Sequence, residues 1–293
     1  MPQNLAQQYG PLLDHINELG ELLQFSEQAF IIGAEEGGNR AEDWGTVEGR
    51  VLQLLMLHAL NTSYSVRLLT TYAQPIEAYA LLRVRLEQVI LCSYLIHSEP
   101  EKGFVPYAQD VGRVDYRSFQ SLDQDPELRD LLAGLIPWKI EAAKAEAARN
   151  ERMSDPDFDL DKDKLKRKWT GLSLYDMALH RDRVIPDGAP PMSTKLTRFY
   201  LGLYKPASII VHSDTGSLTD NFLTLNPLPG GGKQLGPHIA YVFLNLINVV
   251  QLDLLQSYEI LHFFDKPGKD RIANLHQRFV SYIAEALEID VDA

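Results

Sequence analysis

The sequence predicts an all-α fold, an irregular multi-helix bundle of about eight to ten helices. Three observations predict it. Nearly every periodic segment has helical spacing, no alternating β pattern reaches useful length, and neither an internal repeat nor a coiled-coil heptad run occurs. The 293 residues, 45% of them hydrophobic, are read as a single domain over 1–293 with one large core.

Leu12 to Ile32 spaces apolar residues at Leu12, Ile16, Leu19, Leu23 and Phe30, then fades into the turn sequence EEGGN. Val47 to Leu69 is apolar almost all round, the pattern of a central helix. Pro75 suits the first turn of the next, which runs to about His97. Glu99-Pro100 and Asp125-Pro126 each open a further helix, and Pro137 bends or splits the second. Residues 142–149 are strong helix formers with high charge and read as a solvated helix. Residues 154–168 mix charge with little apolar content, as a surface loop or lid does. A short helix near Ser173 to His180 and the helix that begins FYLGLYKPASIIV follow. Gly and Pro recur over 214–237, an exposed connection, before two final helices at 237–264 and 267–288.

Charge and composition exclude some classes of function. A formal net charge of −12 repels polyanions, so general binding to nucleic acid or anionic membranes is not expected. The most apolar window, Ile239 to Leu255, contains Asn245, Asn248, Gln251 and Asp253, too polar for a membrane span. The N-terminus lacks the basic start and apolar core of a signal peptide, and Cys92 is alone in an apolar run. A cytoplasmic protein is expected. No P-loop, GxGxxG, GxSxG, HExxH or cysteine pair occurs, and Glu259 and His262 supply only one copy of a di-iron spacing. No metal and no cofactor is expected. The run Lys162, Lys164, Lys166, Arg167, Lys168 beside Trp169 is diluted by Asp161 and Asp163 and reads as a solvated face.

Three polar features stand out against apolar surroundings. Arg83 and Glu87, four apart, share a helix face, while Arg85 points away. A charge in so apolar a helix must be paired. Tyr200, Tyr204, Ser208 and His212 form one drifting stripe, with Lys205 and Pro206 inside it; Pro206 would kink the helix and free a carbonyl. His238, Tyr241, Asn245 and Asn248 line a third helix, either as a solvent strip or facing a cavity shared with His212. Arg83, Glu87, Tyr204, Ser208 and His212 are therefore the candidate pocket, with Tyr241 and Asn245 as further ligand-binding candidates. A histidine is the natural acid or base near neutral pH.

The order of these segments, ALLRVRLEQVILCSYL, then KWTGLSLYDMA, then FYLGLYKPASIIVHSD, resembles the bacterial family catalogued as domain of unknown function 5677. Its Arg-x-x-x-Glu, Trp-x-Gly and Tyr-x-x-x-Ser-x-x-x-His pattern falls on Arg83, with Arg85 as the second choice, and Glu87, on Trp169 and Gly171, and on Tyr204, Ser208 and His212. That resemblance implies a helical fold and carries no established activity. More loosely the chain is similar to HEPN domains of toxin and phage-defence ribonucleases, which set an Arg a few residues before a His, usually across a dimer interface. Lys205 stands at that place here, without the guanidinium fork. The readings are thus an interaction, sensor or ligand-binding module, with a metal-independent ribonuclease using His212, Arg83, Glu87 and Lys205 as the alternative. A homodimer, a protein partner, and an RNA or small anionic ligand are the partners they allow.

Overall fold

The computed structural model describes residues 16–37, 45–72, 74–108, 126–127, 130, 134, 170–185, 191, 194–211, 223–228, 232–237 and 239–286. The chain is an all-α multi-helix bundle. It divides into two compact units, Met1–His97 with Ser173–Ala293, and Ser98–Leu172.

The first unit carries α1 (Ile16–Gly37), α2 (Val47–Thr71), α3 (Pro75–Ile96) and α4 (Leu174–Val184). After α4 come a four-residue α5 (Leu196–Phe199), a π-helical turn (Tyr200–Tyr204) and α6 (Lys205–Val211). The strands β1 (Leu223–Leu228) and β2 (Gly232–Pro237) precede α7 (Ile239–Phe263) and α8 (Gly268–Ala286). Helix starts follow local chemistry. Thr46 caps α2 by accepting from Gly49 N at 3.0 Å, Pro75 opens α3, and Ser173 with Asp176 forms a capping box on α4. Asp265, in a left-handed conformation at φ 48°, ends α7 as Lys266 N bonds back to Leu261 O at 2.8 Å.

Helix α7 is the axis of this unit and packs against α1, α2, α3 and α8. Its apolar face buries Val242, Leu246, Val249, Val250, Leu254 and Leu255. Helix α8 is strongly amphipathic and closes on α1, where Phe25 meets Phe279 edge-on at 5.5 Å. The π-helical turn and α6 lie along α3, and α5 lies on α4.

Two sequence expectations come out differently here. The connection at 214–237 contains an antiparallel hairpin, Leu225 opposite Leu235. Pro227 and Pro237 hide it from a pattern search, yet both strands of a two-stranded ribbon are edges, where proline is tolerated. Helix α2 is not enclosed: one apolar face is buried and the other is open.

In the second unit, residues 104–108 are helical, and Leu172 N donates to Thr170 Oγ1 at 2.8 Å beside Gly171 at φ 68°. The charged stretch 154–168 and Trp169 lie outside the described residues. Among the described residues, no helix is long and apolar enough to cross a membrane.

Candidate functional site

Arg83, Glu87 and Tyr204 are brought together. Arg83 Nε donates to Glu87 Oε1 at 3.2 Å, one turn along α3. Its Nη2 donates to the Tyr204 hydroxyl at 3.3 Å, and the guanidinium carbon lies 4.9 Å from the centre of the Tyr204 ring. Tyr204 stacks on Tyr200 at 4.7 Å, and Tyr200 meets Tyr175 of α4 at 5.4 Å, so an aromatic ladder backs the arginine. The Arg83 side chain keeps 19% of its surface exposed and Glu87 keeps 40%. Burial alone would lower the Arg83 pKa, but the Tyr204 hydroxyl and Glu87 more than offset it and hold it above its ordinary value.

Local sequence explains where Tyr204 sits. Pro206 has no N–H to give, and its ring crowds the carbonyl four residues back. The turn before it widens, and Lys205 N bonds to Tyr200 O, five residues away. The start of this segment is fixed from α4. Asp182 accepts from Leu196 N and Thr197 N, both at 2.9 Å, and from Thr197 Oγ1 at 2.7 Å. That carboxylate caps α5 from outside its own chain segment and sets the register of the two tyrosines.

Among the described residues, Ser208 and Asn245 bond elsewhere than to Arg83. The Ser208 hydroxyl donates to Tyr204 O at 2.8 Å, bonding within its own helix. Lys205 is exposed. Asn245 is buried rather than on a solvent strip, and it donates to Pro75 O at 2.9 Å, which pins the start of α3. Tyr241 is half-buried on α7. His212 and His238 lie outside the described residues.

Two buried ion pairs escaped the sequence reading, and both hang on α7. In the first, Arg85 Nε and Nη2 each reach Asp253 Oδ1 at 3.0 Å. Ser26 and Ser63 donate to the same carboxylate at 2.6 Å, and Ser63 also accepts from Arg85 Nε at 2.8 Å. All four residues are buried. Burial pushes the Asp253 carboxyl up, against the pull of Arg85 and the hydroxyls.

In the second pair, Arg181 Nε and Nη2 donate to Glu259 Oε1 at 2.9 and 2.6 Å. Ser93 donates to Oε2, and Arg181 Nη1 reaches Thr194 O and Asp182 Oδ1. Burial would raise Glu259, but His97, Arg181 and Ser93 outweigh it and hold the carboxyl below its usual range. Cys92, on α3 beside these pairs, is buried, and that burial with the nearby Glu259 pushes its thiol up to about 12. It is a packed apolar group rather than a nucleophile. The signal for the second pair was present: Asp253, Gln256 and Glu259 repeat every third residue in the most apolar helix, and such acids need buried cations. Among the described residues, no group of three or more His, Cys, Asp or Glu is placed to hold a metal.

These features define a class: an all-helical protein with a sealed ionic core and one half-open arginine–tyrosine cluster on α3. The chain belongs to the family of unknown function DUF5677, whose model matches residues 49–227 and so spans α2 through β1. No curated protein and no solved structure matches the chain.

Proposed function

We propose that the chain is a ligand-binding module that takes the anionic group of a small molecule at Arg83. The observation that carries this is the half-open state of that guanidinium. Arg85 and Arg181 are fully buried and spent on carboxylates, whereas Arg83 spends Nε and one Nη2 bond and keeps 19% of its side-chain surface exposed. Glu87 and the Tyr204 ring hold the fork in one orientation, which reduces the ordering cost on binding. The exposed Lys205 lies one residue beyond Tyr204 and adds positive charge near the cluster. A ribonuclease would need His212 beside these cations, and His212 lies outside the described residues.

The test is a thermal-shift titration with inorganic phosphate and with adenosine monophosphate as probes, on the wild type and Arg83→Gln. Either probe should raise the wild-type melting temperature in a saturable way, and the variant should lose the shift. Equal shifts in both proteins, or none in the wild type with either probe, would sink the assignment to Arg83.

A further inference from the structure

Helix α2 carries two apolar faces, and the fold covers one. Val51, Leu52, Leu55, Ala59 and Val66 are buried against the rest of the unit. On the opposite side Leu54, Leu57, Leu60, Tyr64, Leu68 and Tyr72 leave between 38 and 58% of their surface exposed. From Val51 to Tyr72 the only charged residue is Arg67, which is itself buried, so the open face bears no fixed charge. In a chain with net charge −12, an uncharged helix face more than five turns long is the exception.

We infer that this face is a self-association surface, on which α2 of a second copy packs antiparallel about a two-fold axis at Asn61. Three features favour a second copy over a foreign partner. A two-fold interface brings the same patch of both copies together, so a patch carrying one sign of charge would repel itself, and this face carries none. Next, the stripe is nearly symmetric about Asn61: Leu54 and Leu68 lie seven residues to either side, Leu57 and Tyr64 four and three. Antiparallel packing then sets Leu54 against Leu68 and Leu57 against Tyr64. Finally, Asn61 is exposed at the centre, and an amide both donates and accepts, so two copies satisfy each other across the axis. A lone asparagine in an apolar seam of 3–4–3–4 spacing is a known way to fix register.

The area is also adequate. The six exposed side chains present on the order of 600 Å², against roughly 800 Å² per partner in a stable interface. Residues flanking the stripe, Gln53 and His58 among them, are exposed and polar, as a rim should be.

Sedimentation of the full chain tests this. The wild type should run at twice the 33.1 kDa chain mass at tens of micromolar, and Leu57→Glu with Tyr64→Glu should run as a folded monomer. Both substituted side chains face solvent in the single chain, so circular dichroism should match the wild type. Asn61→Cys gives the geometric test: mild oxidation should link two copies through that position. Cys92 is buried and barely ionised, so it should not compete. A wild type that stays monomeric at every concentration overturns the proposal and leaves the stripe to another protein. A dimer that survives the double substitution, or an Asn61→Cys protein that does not cross-link, overturns the α2 axis.

Discussion

Three arginines within reach of α3 meet carboxylates, and their surroundings give them different work. Arg85 and Arg181 are sealed, each shared among several partners from separate helices. Arg83 pairs with a neighbour on its own helix and leans on a tyrosine ring near the surface. Arg83 and Arg85 stand two positions apart in one apolar run, and the sequence already turns Arg85 away from the face that Arg83 shares with Glu87. The difference is helical phase: Arg83 faces the π-helical turn, while Arg85 faces α7. A sealed charge is committed to the fold because any change of partner must first be solvated. A half-open one can accept a new partner, which is why Arg83 is the residue proposed to bind a ligand.

The comparison breaks most visibly at Arg181. Its guanidinium ties α4 to Ser93's helix and to α7 through Glu259, and to Thr194, just ahead of α5. Arg181→Leu should strip a buried carboxylate of its cation and cost about 4 kcal/mol of folding stability in urea unfolding. Replacing both partners, Arg181→Leu with Glu259→Leu, should recover much of that loss. A single-variant loss below about 1 kcal/mol, the range of an exposed pair, would mean the pair is not sealed.

The sealed side also contains a proton-sensitive contact. His276 on α8 is buried, and burial lowers its pKa to about 4. Its Nε2 lies 3.0 Å from Gln251 Nε2, so the neutral ring accepts from the amide, which also donates to Thr194 Oγ1 at 3.0 Å. The unfolded chain binds a proton near pH 6.5 and the folded chain near pH 4. Stability from this group is therefore complete above pH 6.5 and falls as the pH drops toward 4, by about 3 kcal/mol. Unfolding free energies measured from pH 7.5 to 4 should show this slope, and His276→Gln should flatten it. Parallel profiles for the two proteins would count against a buried neutral imidazole.

Much of this arrangement was legible from residue spacing. The helix boundaries at Val47, Pro75 and Gly268 follow from periodicity and terminal chemistry, and the Arg83–Glu87 face followed from a separation of four. That Tyr204 would meet Arg83, 121 positions away, rested on both being polar islands in apolar helices and on the family pattern that contains both. The ion pairs were harder, because pairing across helices depends on rotation about each helix axis. Arg181 sits in LYDMALHRDRV, a helix polar enough to look solvated, and nothing local marks that arginine as the one turned inward. Asp253 was noticed only as a reason against a membrane span. The open face of α2 was misjudged for a related reason: an all-round apolar pattern says that both faces want cover, not which partner supplies it.

The smallest expected effect is also the sharpest test of the contrast. Within α3 the arginine precedes the glutamate by four, the less favourable order for a helix pair, so Glu87→Gln should cost only about 0.3 kcal/mol. Arg83→Gln removes that pair and the contact with the Tyr204 ring, together about 1 kcal/mol at a half-open position. Tyr204→Phe keeps the ring but loses the hydroxyl that accepts from Nη2. It should leave folding nearly unchanged while loosening the orientation of the guanidinium, so phosphate binding should weaken more than stability does. Urea unfolding of the three variants, set beside their probe titrations, separates the two kinds of arginine. If Arg83→Gln cost 3 kcal/mol or more, Arg83 would be a structural tie like Arg181, and the cluster would have no claim to a ligand. A protein that folds as well as the wild type but no longer responds to the probes places Arg83 on the functional side of the divide.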